Sequence, residues 1–129
     1  MSDSLAIAAV SATLRSLLER GLWMAPDLED TRVTTLAPDR ARGNLTINQL
    51  NLFLYQAVPN AAWHNTDMPR QVRPGETGHP PLPLTLFYLI TAFGRDNDEV
   101  FAHRVLGRAM SVLHDHPLLG ADEIRAALP

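Results

Sequence analysis

Apolar residues first recur at helical spacing, with Ile7, Val10, Leu14, Leu17 and Leu18 forming one stripe that runs up to Gly21. Ser2, Asp3 and Ser4 stand before the stripe as N-cap residues and Gly21 offers a stop, so the pattern predicts a first helix. The connector GLWMAPDLEDTR that follows is irregular and acidic. A short strand signal covers Arg32 to Leu36, and APDRARGN turns the chain. The period then becomes two. In Leu50–Val58, a strand that could start as early as Thr46, the even positions Leu50, Leu52, Leu54 and Val58 are apolar. The odd positions Phe53, Tyr55 and Ala57 are largely apolar too, which predicts a strand covered on both faces. Leu84 to Gly94 repeats the pattern, with Phe87, Leu89 and Phe93 alternating with Leu86, Tyr88 and Ile90.

Between the two strands, residues 65–83 (NTDMPRQVRPGETGHPPLP) hold five of the ten prolines and two of the seven glycines. Such a stretch can neither continue a helix nor pair inside a sheet, and residues 66–83 read as a long, mobile loop. After the second strand, Asp96 followed by Glu99 has the spacing of a capping box. Phe101, Val105, Ala109 and Val112 then lie on one stripe with Leu106, Met110 and Leu113 beside it, and Pro117 ends the run. A helix from Asp98 to His114 is expected, with Gly107 as its point of close approach to the sheet. ADEIRAALP adds a short last helix. The fold expected is α+β: residues 1–129 form a single domain with one three- to four-stranded mixed or antiparallel sheet. Leu50–Val58 lies beside Leu84–Phe93 in it, and the N-terminal helix and the second long helix pack on it.

Composition narrows the function. Hydrophobic residues make up 46% of the chain and charged residues 19%, sparse for a monomer's surface, which leans towards an oligomer. The net charge of -3 and the lack of a basic cluster argue against a nucleic-acid partner. All eleven basic residues are arginine, which a GC-rich genome explains more simply than a need for bidentate contacts. With no cysteine there are neither disulfides nor thiolate metal sites. No stretch reaches membrane-spanning length.

Catalytic chemistry finds little support. His114, Asp115 and His116 could supply metal ligands, but residues two apart point to different sides of a helix, and a histidine near a helix C-terminus has a plain role with the last carbonyls. His103 reads as a packed or half-exposed imidazole, since no triad pattern surrounds it. PGETGHP lacks the Lys-Ser/Thr ending of a phosphate loop and reads as a turn. Trp63 fits an edge-covering aromatic better than a binding platform, and Asn60 and Asn65 fit turn residues. The residues alone therefore indicate a small, oligomeric α+β protein that is not an enzyme.

Three segments in this order and spacing, NLFLYQAVPNAAWHN, PPLPLTLFYLITAFG and AHRVLGRAMSVLHDHPLL, resemble the N-terminal domain of the cap, or tail-terminator, proteins of contractile injection systems. These are phage-tail-like particles of the antifeeding-prophage type, and the resemblance runs from the first helix to about Leu119. It implies a structural protein without cofactor or small-molecule substrate, assembled in the cytoplasm into the particle. There it would join a ring, six-fold by analogy with phage terminators, that ends growth of the inner tube and sheath at their distal end. Nucleic acid and membrane are not implied as partners.

Family members continue past the HDHPLL helix into a segment ending in another strand, whereas this chain ends at Pro129, so a short form or a trimmed domain is expected. One sheet edge or face would then need cover from a neighbour. Pro59, Asn60, Trp63 and Asn65 at the strand end, with Arg70 and Arg73 in the loop, are the candidate partner-binding residues. Two other readings stay open: an assembly adaptor that forms no ring, and a small metal-dependent hydrolase using the HDHP histidines.

Overall fold

The computed structural model describes residues 4–60 and 83–127. Helix α1 spans Ala6–Trp23, strands β1, β2 and β3 span Arg32–Thr34, Gln49–Pro59 and Leu84–Phe93, and helices α2 and α3 span Glu99–Asp115 and Ala121–Ala127. The strands form one mixed sheet in the order β1-β2-β3. β1 runs parallel to β2, with Val33 opposite Leu50, and β2 runs antiparallel to β3 from Gln49 opposite Phe93 to Pro59 opposite Leu84. The fold is thus α+β, and the two long apolar segments are neighbours in one sheet, as their patterns predict.

One face of the sheet carries the core. Leu50 and Leu52 of β2 and Val33 of β1 pack against Leu17, Leu18 and Leu22 of α1 and Val105, Ala109 and Val112 of α2, with Tyr88, Ile90 and Ala92 of β3 at the margin. Alternation explains which β3 residues take part, because every second side chain points to the helices. α2 lies mainly over β3, and α1 packs beside α2. Arg108 Nε of α2 donates to the carbonyl of Gly21 at 2.9 Å.

Helix ends and glycines depart from expectation in ways the contacts explain. α1 runs two residues past Gly21, to Trp23, and its N-cap position is Leu5, which makes no side-chain cap hydrogen bond. Gly21 does not stop the helix; it is where α1 meets α2. The cap of α2 is Asp98, whose carboxylate accepts from the Val100 amide at 2.9 Å. Asp96 instead has φ 53° and lies in the 3-10 turn Arg95–Asn97. Gly107 is exposed, and a Cβ built on it meets nothing within 4 Å, so it is not the point of approach to the sheet.

β1 ends at Thr34 rather than at Leu36 for a specific reason. The carboxamide of Asn51 accepts from the Leu36 amide at 3.0 Å and donates to the Leu36 carbonyl at 2.9 Å. A side chain thus takes both backbone groups that a longer strand would have offered to a neighbour.

Candidate docking surface

Among the described residues, the outer face of the sheet, away from the helices, is covered only near the start of β2. There residues 35–47 fold across it. Gln49, fully buried, donates to the Ala41 carbonyl at 2.7 Å and to Thr34 Oγ1 at 2.9 Å. Arg42 donates to the carbonyls of Ile47 at 2.7 Å and Gly94 at 2.8 Å, and its guanidinium lies 5.3 Å from the centroid of the Phe93 ring. Asn48, also fully buried, accepts from the Arg95 amide at 2.8 Å. This polar cluster fixes where β2 begins and where the chain leaves β3. The buried carboxamides are bonded within the fold, Gln49 to the Ala41 carbonyl, the Thr34 hydroxyl and the Arg42 guanidinium and Asn48 to the Arg95 amide, so the cluster positions strands.

Farther along β2 the cover from the described residues ends. Tyr55 is 55% exposed, Phe87 38% and Leu89 46%. The expected burial of both faces therefore holds for the first half of β2 and fails beyond Leu54. A register shift between Leu54 and Gln56 places Tyr55 as the extra residue of a bulge, and its ring lies 6.1 Å from that of Phe87. Beyond the bulge the phase reverses, so Ala57 pairs with Leu86 and Val58 with Thr85. The apolar content at both parities in the sequence thus reflects a phase change together with a bare outer face.

Of the expected partner-binding residues, Pro59 is exposed as the last residue of β2 and pairs with Leu84. Asn60 donates its amide to the Pro83 carbonyl at 2.9 Å, so the strand pair stays clamped to the point where the intervening segment leaves. Trp63, Asn65, Arg70 and Arg73 lie outside the described residues, as do residues 66–82 of the expected loop. Sequence reasoning passed over Gln49, Asn51 and Arg42, whose only signal is a run of carboxamides, NQLN, at the head of an apolar strand.

His114 and His116 are exposed at the end of α2, and the Nδ1 of His116 lies 3.0 Å from the Val112 carbonyl, the plain helix-end contact expected of it. His103 is exposed. Among the described residues no group of three or more His, Cys, Asp or Glu side chains could hold a metal ion. An open cleft of about 530 Å³ between the helices is lined by apolar Leu17 and Val112 with Arg20, Arg108, Asp115 and Glu123. Its two cations and two carboxylates favour no single ligand charge. The outer face of β2 and β3 presents the apolar side chains of Tyr55, Phe87 and Leu89.

The model of the Pvc16 N-terminal domain family matches residues 9–128. The chain belongs to that family. Membership makes it a component of a phage-tail-like contractile injection system and points away from catalysis. No curated protein and no solved structure matches the chain. The family match covers α1 from residue 9, the whole described sheet, α2 and α3, so the apolar surface on β2 and β3 lies within the matched domain. Among the described residues no helix is long and apolar enough to cross a membrane.

Proposed function

We propose that this Pvc16 N-terminal domain is a cap: it joins a six-fold ring at the distal end of the inner tube and sheath and ends their growth. The observation that carries the reading is the apolar surface of Tyr55, Phe87 and Leu89, left bare in a domain of a particle-forming family. A tube grows by identical head-to-tail contacts, so every finished layer presents a surface that invites the next. A terminator matches that surface on one side and offers nothing equivalent on the other. Exposed apolar area of this kind marks protein contact sites.

Within this reading the partners are the sheath and tube subunits, and assembly takes place in the cytoplasm. Pro59, Asn60, Trp63, Asn65, Arg70 and Arg73 belong to the contact, the arginines through charge-assisted hydrogen bonds to acidic neighbours. Purified protein added to growing tube or sheath subunits tests it: elongation stops at substoichiometric amounts, and Arg70→Glu weakens the arrest. Binding to the polymer without arrest supports the adaptor reading instead.

A further inference from the structure

We infer that α3 is a flap: it leaves α1 and returns by local unfolding while the rest of the domain stays folded, and so opens and closes the cleft between α1 and α2. α3 has seven residues, and none of them is buried. α1 buries Leu17, Leu18 and Leu22, and α2 buries Val105, Ala109 and Val112. A helix as short as α3 does not hold its shape alone, since even good helix formers need about 12–15 residues in water. Its stability comes from what it touches.

Those contacts are few. α3 packs mainly on α1. Its half-buried residues are Glu123, Ile124 and Ala127, and Leu119, just before it, packs partly buried against the core. Among the described residues no hydrogen bond and no ion pair joins α3 to another element, whereas α2 is tied to α1 through Arg108 and the Gly21 carbonyl. The link His116–Gly120 has no regular structure, so α3 can move without disturbing α2.

α3 forms a wall of the cleft of about 530 Å³ through Glu123, while Leu17 and Gly21 of α1 and Val112 of α2 line the rest of its apolar part. Arg20 and Glu123 face the same cleft with opposite charge yet form no ion pair, so no charge contact holds the wall shut. Val112 is 5% exposed with the wall in place. Release of α3 removes the wall and bares Leu17 and Val112 to solvent. Nothing in this motion depends on the cap reading.

The chain has no cysteine, so one introduced thiol reports access without background. Val112→Cys places it in the cleft, and Val105→Cys places it in the fully buried core under the sheet as the control. In the full chain an aromatic disulfide reagent labels the Val112→Cys variant at least about 100-fold faster than the Val105→Cys variant, which reacts only on global unfolding. Adding Leu119→Ser or Ile124→Ser speeds labelling at position 112 about tenfold and leaves the rate at position 105 unchanged. Equal labelling of the two thiols, acceleration of both alike, or no acceleration at position 112 overturns the inference.

Discussion

Gly21 of α1 lies directly against Val112 of α2, where a Cβ built on the glycine would collide with Cγ2 of the valine and stand 3.0 Å from Cγ1. The two helices meet at this point with no room for a methyl group. Gly21→Ala is expected to destabilise the fold by about 1–3 kcal/mol, the usual range for overpacking a core, despite alanine's better helix propensity. Urea unfolding measures it. Adding Val112→Ala should recover part of the loss, because the two substitutions act on one contact. Strict additivity of the two losses would show that the helices do not touch here.

Gly107 supplies the opposite case on the neighbouring helix. It is exposed in the middle of α2 with open space around its Cα, so Gly107→Ala should stabilise by about 0.5–1 kcal/mol through backbone entropy and helix propensity. A loss of stability would mean that α2 needs the glycine for a contact.

The two glycines show how far the sequence is legible. Helical and alternating periods place α1, the β2 and β3 strands and α2 to within a few residues, because burial on one stripe or face leaves a repeating mark. Which glycine lies between helices leaves no such mark: Gly21 stands at the end of its apolar stripe and Gly107 beside its own, and only the packing partner distinguishes them. The bare face was hidden for a related reason. Phe87 and Leu89 read as buried because apolar residues usually are, and alternation does not say whether a loop, a neighbouring subunit or another partner covers their face. The carboxamides of Gln49 and Asn51 leave no periodic mark because their partners, the backbone of Leu36 and Ala41, the Thr34 hydroxyl and the Arg42 guanidinium, are set by tertiary contact alone.

Leu52 and Leu89 sit on opposite faces of adjacent strands and should respond differently to truncation. Leu52 is almost fully buried, and Leu52→Ala should cost about 2–5 kcal/mol. Leu89→Ala should stay within about 0.5 kcal/mol of the parent, as surface changes do. Equal costs would refute a bare outer face.

Asn51→Leu keeps the side-chain volume nearly constant while removing every hydrogen bond to Leu36 and Thr34. The cost should reach about 1–3 kcal/mol for each polar group left buried without a partner. Hydrogen exchange should quicken most at the Leu36 amide. Unchanged protection there would indicate that the Asn51 carboxamide does not hold that segment.

The cap reading is tested most directly by electron microscopy of particles from cells that lack this gene. The account predicts tube and sheath of irregular length or with frayed distal ends, assembled from subunits that are otherwise competent. A normal length distribution with intact distal ends would contradict it.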